Sequence, residues 1–149
     1  MRVLLQLVKE ASVNVNGETV SKIGKGFLLF VGVGEGDDFA TAEKMANKVS
    51  KLRVFPDENG KTNKSLADVN GEILAVSQFT LYASAKEGNR PSFTRVMRQD
   101  EARPIYEVFV KKLKETTPVQ EGIYRADMKV HLVNDGPFTL ILDSEELFK

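Results

Sequence analysis

Apolar and polar positions along the chain follow two periods, and the changes between them mark the elements. Residues 2–8 and 12–15 are rich in aliphatic and β-branched side chains, and Asn16-Gly17 then supplies the two positive-φ positions of a tight hairpin turn into residues 18–20. Residues 27–33 are a continuous apolar run between Gly26 and Gly34, the pattern of a strand buried on both faces. Ala42, Met45, Ala46, Val49 and Leu52 then recur at three-and-four spacing, so a helix capped by Asp37 or Asp38 buries one stripe. A short strand at 53–55, a turn at 56–60 and a polar stretch to Asp68 lead to a mostly apolar segment, 72–82, that reads as a central strand. After a loop at 83–93, Asp100 caps a second helix with Pro104 in its first turn and Ile105, Val108, Phe109 and Leu113 on its buried face. The period returns to two from Val119: Met128, Val130 and Leu132 alternate with Lys129 and His131, and a turn at 134–137 precedes an apolar strand at 139–142.

These elements predict an α/β fold with two main helices. No repeat or linker divides the 149 residues, a length suited to a single domain spanning 1–149. Apolar residues at 42% and charged residues at 28% fit a globular protein. The absence of cysteine excludes disulfides, thiolate nucleophiles and thiolate metal sites, and points to a reducing compartment. The first eight residues are too short and too polar for a secretory h-region or a membrane span. The expected location is therefore cytoplasmic, without a membrane partner. Lys plus Arg balances Asp plus Glu at 21 each, so any nucleic-acid partner needs a local basic surface.

Catalytic inventory is thin. His131 is the sole histidine, and strand alternation turns it away from Met128, Val130 and Leu132, which makes it a solvated surface residue. Neither a Cys-His nor a Ser-His-Asp arrangement can be assembled, and no metal site is expected. A hydrolase built from this chain must use backbone amides, hydroxyls or the substrate itself. Ser77-Gln78-Phe79-Thr80 interrupts an otherwise apolar strand with three hydrogen-bonding side chains, which are costly there unless paired. They form either a site or a locally satisfied patch. Gly136-Pro137 taken alone is an ordinary turn dipeptide. Arg90-Pro91-Ser92-Phe93, after Lys86 and Gly88, offers a guanidinium, a hydroxyl and a ring on one loop, a set suited to phosphate contact and base stacking or to a plain solvated loop.

Three segments together are specific: Ser77-Gln78-Phe79-Thr80-Leu81, Gly88-Asn89-Arg90-Pro91-Ser92-Phe93 and Asn134-Asp135-Gly136-Pro137-Phe138-Thr139. In residues, order and separation they resemble the signature stretches of the D-aminoacyl-tRNA deacylase family, and the likeness extends over nearly the whole chain. The resemblance implies a largely antiparallel, barrel-like mixed sheet and a homodimer with sites at the interface. It implies hydrolysis of the ester of D-aminoacyl-tRNA at its 3′-terminal adenosine, without cofactor. Ser77, Gln78 and Thr80 would carry the chemistry, Phe79, Met128 and Thr139 would shape the substrate pocket, and Lys86, Arg90 and Ser92 would meet tRNA. Gly136 and Pro137 would act across the dimer, their bond cis and two carbonyls aimed into the pocket so that an L side chain collides. Achiral glycine passes such a filter, so glycyl-tRNA is an expected second substrate. Backbone amides would polarise the ester and the ribose 2′-hydroxyl would activate water, with Thr80 as direct nucleophile the competing scheme.

Two positions depart from the family pattern. Leu7 follows Gln6 where arginine is usual, and Arg125 stands where glycine is usual in the stretch 122–128. The expectation is that Arg125 supplies the missing guanidinium near the Gly-Pro loop. Competing readings are a tRNA-end binding module without turnover, a structural domain with no RNA role, and the related deacylase that removes L-alanine, from which Ser77-Gln78-Phe79-Thr80 points away.

Overall fold

The computed structural model describes residues 1–149. Its elements in chain order are β1 (Arg2–Val15), β2 (Glu18–Ile23), β3 (Gly26–Gly32), α1 (Phe39–Lys51), β4 (Phe55–Pro56), β5 (Thr62–Lys64), β6 (Glu72–Ser77), a 3₁₀ turn (Phe79–Tyr82), α2 (Gln99–Lys114), β7 (Val119–Glu121), β8 (Lys129–Asp143) and α3 (Ser144–Phe148). Six strands form a mixed, nearly closed, barrel-like sheet in the order β2-β1-β3-β6-β7, with β8 also on β1. The contacts of β1 are all antiparallel, whereas β3–β6 and β6–β7 are parallel. The expected architecture is therefore present, and β4 with β5 adds a separate two-stranded ribbon.

The two segments read at 2–8 and 12–15 are one strand, because β1 changes partner rather than direction. Its first half pairs with β3 as far as Val8–Gly26, its second half pairs with β2 from Ala11–Ile23, and β8 runs along its other side. Burial on both faces of β3 and β6 holds. Phe27, Leu29, Val31, Ile73 and Ala75 enter the larger core with α1 and α2, while Leu28, Leu74 and Val76 enter a smaller one with Val8, Ala11, Val13 and Ile23. Each such fully buried aliphatic or aromatic side chain contributes roughly 1.5–3 kcal/mol.

Asp38 caps α1 by accepting the Thr41 N–H at 2.8 Å, and Ala42, Met45, Ala46 and Val49 are buried as their spacing requires. Four expectations are corrected. The strand expected over 72–82 ends at Ser77, since the Gln78 N–H bonds Val31 O and the chain then winds back, Leu81 N–H to Gln78 O and Ala83 N–H to Thr80 O. The second helix starts at Gln99 rather than after Asp100, because Arg98 O accepts both the Glu101 and Ala102 N–H groups. Pro104 consequently falls in the second turn, on the exposed side, where its missing N–H costs one solvent-facing bond. Finally, 134–137 is a bulge and not a turn between two strands. Val8 pairs with Asn134 and Gln6 with Thr139, so β8 resumes on the same neighbour after residues 135–138 loop out. No helix is long and apolar enough to cross a membrane.

Candidate active site

The break after β6 makes the site. Ser77 ends the strand opposite Val31, Gln78 takes φ −146° and ψ 84°, and Phe79 to Tyr82 form the 3₁₀ turn. Glycines at the end of β3 and just beyond it permit this close approach: a Cβ on Gly32 would lie 3.1 Å from Leu81 Cβ, and one on Gly34 2.6 Å from the Tyr82 ring. The Phe79 and Thr80 N–H groups precede the first internal bond of the turn and have no acceptor within it. The Gln78 amide Nε2 donates to Thr80 Oγ1, so two of the three polar side chains satisfy each other.

Ser77, Gln78 and Phe79 form one wall of a cleft of about 680 Å³. Phe93, Met97, Arg98 and Gln99 form a second wall, and Arg125 to Met128 a third. Phe79 and Phe93 are 45% and 47% exposed, with ring centroids 5.5 Å apart and planes tilted by 54°. An aromatic pair left open to solvent at a cleft is a stacking platform for a flat ligand. A narrow recess continues behind Ser77 toward Gln99, Tyr106 and Tyr124. There the Tyr124 hydroxyl lies 3.1 Å from Gln99 Oε1 and the Tyr106 hydroxyl donates to Ala75 O at 3.3 Å. Burial pushes both phenols up, so they remain neutral donors rather than bases.

Chemically the cleft offers hydroxyls, an amide, main-chain N–H groups and two guanidiniums. Its one carboxylate, Asp127, is held by Lys129 Nζ at 3.0 Å and 3.1 Å. His131 is exposed on β8 in a different depression beside Glu10 and Lys22. No group of three or more His, Cys, Asp or Glu is arranged to hold a metal ion.

Of the residues expected from sequence, Ser77, Gln78, Phe79 and Met128 line the cleft together, and Thr80 adjoins it through Gln78. Met128 stands just before β8 and packs with Val130 and Leu132 against the smaller core, as the alternation requires, and Gly122 makes room for it: a Cβ there would sit 2.4 Å from Met128 Sδ. Lys86 and Arg90 are exposed on a loop closed by paired Ser84–Ser92 main-chain bonds of 2.9 and 2.8 Å, next to Phe93 but outside the cleft wall.

Gly136, Pro137 and Thr139 do not line their own chain's cleft. Gly136 (φ +123°) and Pro137 are exposed on the β8 bulge, and the bond between them is cis. The bulge is pinned at its base, where Asn134 Nδ2 donates to Leu7 O at 2.8 Å and Phe138 O at 2.9 Å, and Gln6 Nε2 donates to Thr139 Oγ1 at 3.0 Å. Leu7 is only 6% exposed and packs in the larger core, so its side chain gives the bulge no donor although its carbonyl anchors Asn134. Arg125 is exposed at the cleft in a left-handed conformation, φ +68°. Sequence reasoning missed Arg98, Gln99 and Tyr124.

A model of the family described as D-Tyr-tRNA(Tyr) deacylase matches residues 4–143. The chain is similar to a D-aminoacyl-tRNA deacylase of Lactobacillus acidophilus, 55% identical over 144 residues covering 96% of this chain and 99% of the relative. It is also 57% identical over 148 residues to one of Thermomicrobium roseum, covering 99% of this chain and 96% of the relative. Among solved structures, one described as the c-Myc DNA Unwinding Element Binding Protein superposes with a TM-score of 0.91 at 40% identity, over 96% of this chain and 98% of the other. A probable eukaryotic D-amino acid tRNA deacylase shares the fold at a TM-score of 0.83 and 16% identity, over 95% and 97% of the two chains. Alike in sequence over almost its entire length and in the three segments that build its cleft and bulge, the chain belongs to the D-Tyr-tRNA(Tyr) deacylase family.

Proposed function

We propose that this protein hydrolyses the ester of D-aminoacyl-tRNA, releasing free tRNA and the D-amino acid, and that residues 1–149 act as one deacylase domain. The observation that carries this reading is the cleft itself, where the Ser77-Gln78-Phe79 wall meets an open aromatic pair and two guanidiniums, and the one carboxylate, Asp127, is tied to Lys129. Such a lining suits a nucleoside ester whose chemistry is done by main-chain dipoles and by the substrate.

In this reading the terminal adenine stacks on Phe79 and Phe93, and the Phe79 and Thr80 N–H groups polarise the ester carbonyl. The vicinal ribose 2′-hydroxyl activates the attacking water, while Thr80 positions rather than attacks, its hydroxyl already engaged by Gln78. Lys86, Arg90 and Ser92 meet the adjoining phosphates. Two copies form the working enzyme, and the exposed Gly136–Pro137 bulge of one sits over the cleft of the other, where its carbonyls leave no room for an L side chain. The absence of Gly136 and Pro137 from the lining of their own cleft supports this, as do Val133 and Ile141, apolar and 46% and 65% exposed on the strand that carries them. Arg125, at the cleft rim, holds the incoming bulge in place of the guanidinium that Leu7 lacks. Glycyl-tRNA is a second substrate, and a tRNA substrate puts the protein in the cytoplasm.

The test offers purified protein D-tyrosyl-tRNA and L-tyrosyl-tRNA side by side. Release of D-tyrosine with L-tyrosyl-tRNA left intact is expected; equal release from both, or from neither, overturns the reading.

A further inference from the structure

A second concave surface lies away from the cleft and shares no residue with it. It has a volume of about 600 Å³ and is walled by Lys44, Lys48 and Lys51 of α1 and by Arg53, over a floor of Leu52 and Phe148. We propose that this surface is a docking site for the phosphate backbone of tRNA, separate from the site that takes the 3′ end; this rests on the function proposed above.

Three observations converge. The first is spacing: Lys44, Lys48 and Lys51 fall at i, i+4 and i+7 on α1, on the side away from its buried Ala42, Met45, Ala46 and Val49. At 1.5 Å per residue they make a row about 10 Å long, suited to a repeating anion rather than to one compact phosphate, which needs converging donors.

The second is the lack of neutralisation. Arg2, Lys64, Arg95, Arg98, Arg103, Lys112, Lys114 and Lys129 each form an ion pair, but none of the four cations in this depression does. Arg53 is held by the neutral carbonyl and side chain of Asn63, which fixes its guanidinium without cancelling the charge. Asp38 feels the charge of Lys44 and Asp68 that of Arg53, without either forming an ion pair with it. In a chain with 21 cationic and 21 anionic side chains, four unpaired cations in one hollow are a local excess.

The third is the floor. Phe148 packs partly against the core, and Lys44 Nζ stands 6.0 Å from its ring centroid. A low-dielectric wall under a row of cations focuses their field outward, which raises the local concentration of an anionic partner.

The experiment compares wild type, a Lys44→Glu/Lys48→Glu/Lys51→Glu variant and a control, Lys9→Glu/Lys61→Glu/Lys111→Glu, with the same change of charge on exposed positions elsewhere. Binding to uncharged tRNA and to a blunt acceptor-stem RNA hairpin is titrated across a salt series. The α1 variant is expected to bind both RNAs at least tenfold more weakly, with the log–log salt slope reduced by roughly 2–3, while the control changes far less. Equal weakening by both variants, or an α1 variant that keeps wild-type affinity and slope, overturns the proposal. So does retention on anionic phospholipid vesicles with RNA binding untouched by the α1 substitutions. Because both RNAs lack an amino acid, failure of the patch is read independently of failure of D-tyrosyl-tRNA hydrolysis.

Discussion

The break after β6 and the bulge in β8 are both interruptions of regular pairing, yet they are held in opposite ways. After β6 the chain is fastened from several sides: Gln78 N–H to Val31 O, Leu81 N–H to Gln78 O, and Gln78 Nε2 to Thr80 Oγ1. In β8 residues 135–138 leave the ladder altogether, and one side chain, Asn134, joins both edges of the gap to β1. The first arrangement fixes main-chain donors inside a cleft. The second presents main chain outward and is held only at its base, chiefly by Asn134 with Gln6 beside it. In the proposed function, chemistry and selectivity therefore rest on different kinds of support, and substitutions should separate them.

The largest effect is expected where the cleft depends on a backbone N–H. Phe79→Pro removes that N–H at the first position of a 3₁₀ turn, which tolerates proline's φ, and Gln78 before it is already outside the α region that proline disfavours. Phe79→Ala removes only the ring. Loss of the ring should raise KM by about tenfold, as expected for a lost base-stacking contact. Phe79→Pro should lower kcat by a further ~10²–10³ fold, the size of one lost oxyanion donor. Equal kcat for the two variants would remove the backbone from the mechanism. Thr80→Ala belongs to the same series: a positioning hydroxyl costs less than about tenfold in kcat, a nucleophile far more than that.

A smaller and qualitatively different effect is expected at the pin. Asn134→Ala leaves the Leu7 and Phe138 carbonyls without their donor, costing about 1–2 kcal/mol and lowering Tm by several degrees. Hydrolysis of D-tyrosyl-tRNA should persist while the preference over L-tyrosyl-tRNA narrows. A variant that loses D-ester turnover but keeps full discrimination would break the division between the two regions.

The same contrast explains what was legible in the sequence. The helix stripe from Ala42 to Val49 and the two-faced burial of residues 27–33 follow from side-chain pattern alone, and both appear as expected. The two interruptions did not follow, because main-chain events decide them. The polar residues Ser77, Gln78 and Thr80 mark an interruption in the run to Tyr82 but not that the chain turns back there, which depends on Val31 from a strand more than forty residues earlier. Asn134 to Pro137 carries every mark of a reversal, and only the continued pairing of Thr139 with Gln6 makes it a bulge. For the cleft, Ser77, Gln78, Phe79 and Met128 were accessible through motif, whereas Arg98 and Gln99 were not, since the helix expected after Asp100 begins two residues earlier, at Gln99.

Arg125, proposed above to link the two regions, gives the smallest effect, one readable by its sign. A non-glycine residue at φ +68° costs about 1 kcal/mol, and residues kept in such conformations cluster where function holds them. Arg125→Gly relieves that cost, although the glycine adds freedom to the unfolded chain worth roughly 0.5 kcal/mol, so the net gain should be about 0.5 kcal/mol and Tm should rise by about 1–2 °C. If the guanidinium serves the cleft, the same variant discriminates less well between D and L esters or binds tRNA more weakly, by a few fold. Greater stability with impaired selectivity would mark a strained residue retained for its work. Greater stability with unchanged selectivity and affinity would reduce Arg125 to an accident of the loop and leave the bulge of the second copy without a clamp from the cleft rim.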